Sequence, residues 1–185
     1  MGALFGKILG MFAGKPNVRI LILGLDNAGK TTIIQRLKLG QYIQQVTTTI
    51  AFNLERVDVK NLRLEIWDLG GQEQLRPYWR YYYEGTHGVM FVVDSADRDR
   101  MDVCASELKA ICDEDELRGI PICILANKKD LEGSMTEEEI TNRLELSKIK
   151  DRPWIIVTGS ALSGDGIAEA FEWLSDSVET SLSKH

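Results

Sequence analysis

The feature that most constrains this chain is the run Gly24-Leu25-Asp26-Asn27-Ala28-Gly29-Lys30-Thr31, set directly behind the aliphatic stretch 18–23 (VRILIL). The run satisfies the pattern GxxxxGK[ST] in the context the pattern requires, with a strand before it and a helix opening at Lys30. Glycines let backbone amides close round phosphate groups, and the helix N-terminus adds partial positive charge. Lys30 can then reach the outer phosphates while the Thr31 hydroxyl, followed by Thr32, is placed to ligate a hard cation. A Gly-rich turn carrying a chance lysine is the bland alternative, and the flanking strand and helix argue against it. A chain with this segment has to fold as an α/β protein.

The rest of the sequence keeps the same alternation. Runs 52–59 and 62–69 alternate with period two around Lys60-Asn61 and read as an antiparallel hairpin. Residues 88–94 (GVMFVVD), 121–126 and 154–157 are short apolar runs of the kind that form buried parallel strands. Met101, Cys104, Leu108, Ile111 and Cys112 fall on one helical face, Thr136 and Glu139 spell a capping box before Ile140 and Leu144, and Ile167, Ala170, Phe171 and Leu174 mark a last helix. The expected fold is one doubly wound domain over residues 17–185. It has a mostly parallel six-stranded sheet with one antiparallel edge strand, preceded by an amphipathic N-terminal segment and linker over 1–16.

Composition narrows the function. The chain has 22 Lys+Arg against 28 Asp+Glu, so general nucleic-acid binding, which depends on phosphate neutralisation, is not expected. With His87 and His185 the only two histidines, a triad hydrolase or His-rich metal site is improbable. Cys104, Cys112 and Cys123 lack a CxxC spacing and sit among apolar neighbours, which reads as reduced thiols in or near the core. No run approaches the length of a membrane span.

Two further segments bear chemistry. Asp68-Leu69-Gly70-Gly71-Gln72 ends the second hairpin strand: a carboxylate there can hold Mg²⁺ through water, the Gly71 amide can meet a γ-phosphate, and Gln72 can orient a water. Asp-Leu-Gly-Gly is also simply a good turn. Asn127-Lys128-Lys129-Asp130 follows a strand end, where open α/β sheets bind ligands. The Asp130 carboxylate can accept from N1 and the exocyclic amine of guanine, a donor pair adenine lacks. Ser160 and Ala161, after the last strand, can brace the same base through backbone amides.

In this order these segments resemble the Ras superfamily of small GTPases, and most closely its Arf (ADP-ribosylation factor) family, along nearly the whole chain: GLDNAGKTT, TTIAFN, WDLGGQ, RPYWR, FVVDSADRDR, ANKKDL and SGDGI. LILGLD, DLGGQ, RPYWR and DRDR are most similar to the Golgi-associated Arf-like branch. The resemblance implies a GTP hydrolase that switches between GDP and GTP, slow without an activating protein, with Mg²⁺ as cofactor. Gly24 to Thr32 would cradle the nucleotide, with Lys30 and Gln72 catalytic. Thr31 and Thr49 would ligate Mg²⁺ directly and Asp68 through water, Gly71 would sense the γ-phosphate, and Asn127, Lys128 and Asp130 would hold guanine. Phe52, Trp67 and Tyr82 match the aromatic trio such GTPases present to effectors. An exchange factor, an activating protein and effectors are the implied partners of a monomer that cycles from cytoplasm to the cytosolic face of Golgi membranes in vesicle trafficking. A GTP-gated scaffold with negligible hydrolysis is the alternative, and Gln72 argues for retained turnover. A nucleoside kinase is disfavoured by the Asn-Lys-Lys-Asp segment and the lack of an Arg-rich lid. Arg76 and Arg80 read as surface or partner contacts, so no arginine finger in cis is assigned.

Two features set this sequence apart. The family's Pro-Thr-Ile-Gly-Phe-Asn reads Thr48-Thr49-Ile50-Ala51-Phe52-Asn53 here, which removes one residue that fixes φ and one that tolerates positive φ. At the N-terminus, Leu4, Phe5, Ile8, Leu9, Met11 and Phe12 fall mostly along one stripe, interrupted by Gly2, Gly6, Gly10 and Gly14. So Gly-rich a helix needs a surface to bind. Gly2 stands where N-myristoylation requires it, although Gly6 replaces the preferred Ser or Thr. One acyl chain anchors only marginally, so the helix would supply the second membrane signal. The resemblance further implies that the hairpin slides by two residues on GTP binding and ejects the helix, a slip that keeps Leu62, Leu64 and Ile66 on one face. Residues 1–38 carry six Lys or Arg against the one acid Asp26, so the basic part of the chain would face headgroups and phosphates.

Overall fold

A computed structural model describes residues 15–39 and 52–184. Gly2, the amphipathic segment and Thr47 to Ala51, including Thr49, lie outside the described residues. Six strands, β1 (Asn17–Leu23), β2 (Phe52–Val59), β3 (Leu62–Leu69), β4 (Gly88–Asp94), β5 (Ile122–Asn127) and β6 (Trp154–Thr158), form one sheet in the order β2-β3-β1-β4-β5-β6. The β2–β3 hairpin is antiparallel and the remaining described pairs are parallel, as the periodicity predicts.

Helices cover both faces. Against one lie α2 (Met101–Asp113), α3 (Glu137–Arg143) and the 3₁₀ turn Arg76–Tyr82; against the other lie α1 (Lys30–Leu39) and α4 (Ile167–Leu182). Central strands are therefore buried twice, and Leu21, Ile22, Phe91, Val92, Ile124 and Leu125 have no exposed surface. Strand β3 instead alternates: Leu62, Leu64 and Ile66 are buried while Arg63 is exposed. Strand β2, the sheet's edge, is lined by ion pairs, Lys38 with Glu55 and Arg56 with Glu65, which discourage further strand addition.

Local chemistry ends the elements where expected. Thr136 accepts from the Glu139 amide while the Glu139 carboxylate accepts from the Thr136 amide, closing the capping box of α3. Met101, Cys104, Leu108 and Ile111 turn into the core from α2. Burial pushes the Cys104 and Cys123 thiols up to about 12, which makes them inert packing groups. In parallel register, Ile22 stands beside Asp68, Leu23 beside Phe91 and Asp94 beside Asn127. The carboxyl ends of β1, β3, β4 and β5 thus open on one edge, where the strand order reverses around β1.

Candidate functional site

The loop between β1 and α1 is shaped by its glycines and its lysine. Gly29 has φ +95°, and a Cβ there would stand 2.4 Å from the Asn127 side-chain nitrogen, so only glycine fits. Lys30 is 6% exposed, and its Nζ donates to the carbonyls of Gly24 and Leu25, each at 3.0 Å. Burial pushes its ammonium down to about 8, while Asp68 and Asp26 pull it back upward. A desolvated cation held inside a loop of backbone groups is ready to meet an anion. Leu25 and Ala28 are buried, fastening the loop to the core beneath it, and Thr32 is half-buried.

The end of β3 closes on this loop. The Thr31 hydroxyl donates to the Asp68 carboxylate. The Gly71 carbonyl accepts from the Asp26 amide at 3.1 Å, and a Cβ at Gly71 would come within 2.3 Å of the Gly24 carbonyl oxygen. Gln72 is exposed on a cleft of about 510 Å³ that it shares with Asp26, Arg76 and Arg100. Arg80 is exposed as expected, but Arg76 is not a free surface contact. Its guanidinium turns inward, donating to the Gly71 carbonyl at 3.0 Å and to Glu107 of α2 at 3.1 Å. Thr31 and Asp68 are hard oxygen groups beside a helix N-terminus, which suits Mg²⁺. Among the described residues no cluster of three or more His, Cys, Asp or Glu forms a metal cage, so the other ligands would be phosphate oxygens and water, as Mg²⁺ prefers.

The third segment joins from β5. Asn127 is 1% exposed; its amide donates to the Ala28 carbonyl at 2.8 Å and its oxygen accepts from the Ala161 amide at 2.9 Å. The side chain thus braces the phosphate loop against the loop after β6. The Ser160 amide likewise donates to the Asp165 carbonyl, while the Ser160 hydroxyl accepts from Leu162 and Ser163. Lys128 pairs with Asp94 at 2.6 Å, and Asp130 is left exposed at the rim, its carboxylate available to a base.

At the far end of the hairpin's strands, Phe52, Trp67 and Tyr82 form a closed aromatic trio with centroids 5.4, 5.5 and 5.6 Å apart. Phe52 is half exposed, and Phe52 and Tyr82 join Leu69, Leu75, Tyr78, Trp79 and Tyr81 in lining an apolar groove of about 350 Å³.

The ADP-ribosylation factor family model matches residues 5–178. The chain belongs to the Arf family. It is 46% identical to ADP-ribosylation factor 3 of Arabidopsis thaliana over 97% of this chain and 98% of that protein, and 44% identical to ADP-ribosylation factor J of Dictyostelium discoideum over 96% and 94%. The solved structure of the small GTPase Arl6 (BBS3) from Trypanosoma brucei with the nucleotide analogue GppNp superposes with a TM-score of 0.82 at 32% identity, covering 89% of this chain and 98% of that one. This Arf-family protein is a small GTPase that binds GTP and GDP, hydrolyses GTP and acts as a trafficking switch.

The fold gives this GTPase three structural arginines that no local pattern revealed. Arg100, before α2, holds Asp26 of the phosphate loop. Arg19 stacks on Trp67, 4.5 Å from the ring centroid, and its amide donates to His87 Nδ1. Arg152, its side chain fully buried, donates to the carbonyls of Leu117 and Cys112 and to the Asp151 carboxylate. Apart from Asp151 beside Arg152 and Asp97 near Arg100, their partners lie far away in sequence or on the backbone, so spacing gives little signal for them.

Proposed function

We propose that this GTPase binds its nucleotide along the edge formed by the phosphate loop, the Asp68–Gln72 turn and the Asn127–Asp130 turn, and that it recruits effectors in vesicle trafficking at Golgi membranes when GTP is bound. The observation that carries the reading is the mutual bracing of the three segments: Asp26 to Gly71, Thr31 to Asp68 and Asn127 to Ala28. Phosphates would meet the amides of 24–30, Lys30 and the α1 N-terminus; Asp130 would accept from guanine, with Lys128 alongside. Asn127, Ser160 and Ala161 serve the base by holding these loops in place. Mg²⁺, held by Thr31 and Thr49 and through water by Asp68, would supply charge neutralisation at the β- and γ-phosphate oxygens. Gln72 then orients the attacking water, and Lys30 with the loop amides stabilises charge developing on the γ-phosphate. Slow turnover without a partner follows from the lack of an arginine aimed at the phosphates among the described residues: Arg76 and Arg100 are both committed to protein groups.

The β1–β3 register supports a switch. A two-residue slip moves β3 by about 7 Å, enough to withdraw both Asp68 from Thr31 and Gly71 from Asp26. In the present register the hairpin turn is tied to α4 by Lys60–Asp176 at 2.6 Å and Asn61–Glu179 at 3.3 Å. The aromatic trio straddles the same hairpin, so effector docking and nucleotide state would move together. Myristoylation of Gly2 and an N-terminal membrane helix complete the proposal, with an exchange factor, an activating protein and effectors as partners of a monomer that resides in the cytoplasm between membrane visits. Single-turnover phosphate release tests the chemistry: Gln72→Leu should slow hydrolysis at least tenfold while leaving GTP bound. Unchanged hydrolysis would remove Gln72 from the mechanism.

A further inference from the structure

Asp26 is the only acid in the phosphate loop, where a carboxylate works against phosphate binding. The structure shows what restrains it. Arg100 donates through Nη1 to the Asp26 carboxylate at 2.9 Å, through Nη2 to the Asp26 backbone carbonyl at 3.2 Å, and through Nε to Asp97 at 2.6 Å. The Asn27 side chain donates weakly to the second Asp26 oxygen at 3.3 Å. Around this contact lie three carboxylates, Asp26, Asp94 and Asp97, and two cations, Arg100 and Lys128, the latter on Asp94. Both Arg100 and Asp26 are about one-third exposed, so the pair is partly shielded from water.

We infer that Arg100 is a positioning residue for nucleotide retention, acting through Asp26; this rests on the nucleotide lying in the phosphate loop as proposed above. Two effects combine. Pairing the carboxylate with the Arg100 guanidinium screens its charge from the phosphates. Fixing the Asp26 carbonyl fixes the rigid peptide plane to Asn27, so the Asn27 N–H points away from Arg100, on the opposite side of the loop. Losing Arg100 frees a negative charge beside a polyanion, and the penalty grows with the phosphate count, so GTP should be affected more than GDP. A unit charge about 4–6 Å from a phosphate group changes release by about tenfold.

The test is release of fluorescently labelled GDP and GTP from the full chain with Mg²⁺ present. Arg100→Gln is expected to speed GDP release about tenfold and GTP release by more. Arg100→Lys, which keeps the charge without the fork, should fall between it and wild type. Adding Asp26→Asn to Arg100→Gln should return release to within about threefold of wild type, because the charge Arg100 restrains is then gone. If Arg100 only caps α2, the double variant will be as fast as Arg100→Gln and GDP and GTP will be affected equally; either result overturns the inference. Should Arg100→Gln not fold, Arg100→Lys decides: release at the wild-type rate refutes the proposal. Wild-type protein that retains neither nucleotide would instead defeat the site reading itself.

Discussion

Replacing Asn127 by Ala separates two roles for the residue, contact with the base and support of the loops. In the structure its side chain is spent on protein, spanning from the Ala28 carbonyl to the Ala161 amide at 2.8 and 2.9 Å in a position 1% exposed. Truncation strands one buried acceptor and one buried donor. At about 1–3 kcal/mol for each unpaired group, the loss is about 2–6 kcal/mol, even without nucleotide. For a domain of this size that lowers the melting temperature by about 4–24 °C. The assay is thermal unfolding of wild type and Asn127→Ala, each with GDP and each stripped of nucleotide by chelation. Bracing by Asn127 requires the drop in both conditions, together with faster GDP release as the phosphate loop loosens. If the stripped proteins melt within about 2 °C of one another and the difference emerges only with GDP, Asn127 acts on the base alone and does not brace the loops.

Other outcomes follow from single contacts. Gly71→Ala forces a methyl into backbone on the far side, 2.3 Å from the Gly24 oxygen, so β3's end must pull away from the phosphate loop; affinity for GTP should fall about tenfold or more relative to GDP, measured by competitive binding, and an unchanged ratio would refute the close approach. Burial and the Arg19 cation hold the His87 imidazole below its usual range, with Nδ1 accepting from the Arg19 amide. The folded state therefore binds a proton less readily than the unfolded chain. The His87 contribution is intact above about pH 6.5 and declines as pH falls through the folded-state value. Urea unfolding between pH 7 and 5 should show a shallower acid loss for His87→Asn than for wild type, and parallel curves would count against it.

Much of the fold was legible because its strands are continuous aliphatic runs punctuated by Gly, Asp and Asn. Both hairpin strands begin and end where the period-two pattern does, at Phe52–Val59 and Leu62–Leu69. The candidate site segments were legible for a related reason: Gly29, Lys30, Asp68 and Asp130 stand at strand ends and turns that the local sequence pattern marks. What escaped was long-range polar pairing. Arg100 and Asp26 are 74 positions apart, and Arg152 reaches a carbonyl 40 positions away, distances over which no periodicity informs. Arg76 misled for the same reason, since its partner Glu107 comes from α2. The tyrosine-rich stretch after it divides by the turn of a 3₁₀ helix, burying Trp79 and Tyr83 while leaving Tyr78 and Tyr81 stacked outside, 6.1 Å apart.

The most direct test of the account is displacement of fluorescent GDP from the full chain by GTP, ATP and xanthosine triphosphate, repeated with Asp130→Asn. Wild type should yield its probe to GTP and hold it against ATP, and Asp130→Asn should shift preference from guanine to xanthine by about a hundredfold or more. Displacement by ATP as readily as by GTP, or an Asp130→Asn protein that still prefers guanine, would contradict a guanine site built at the Asn127–Asp130 turn.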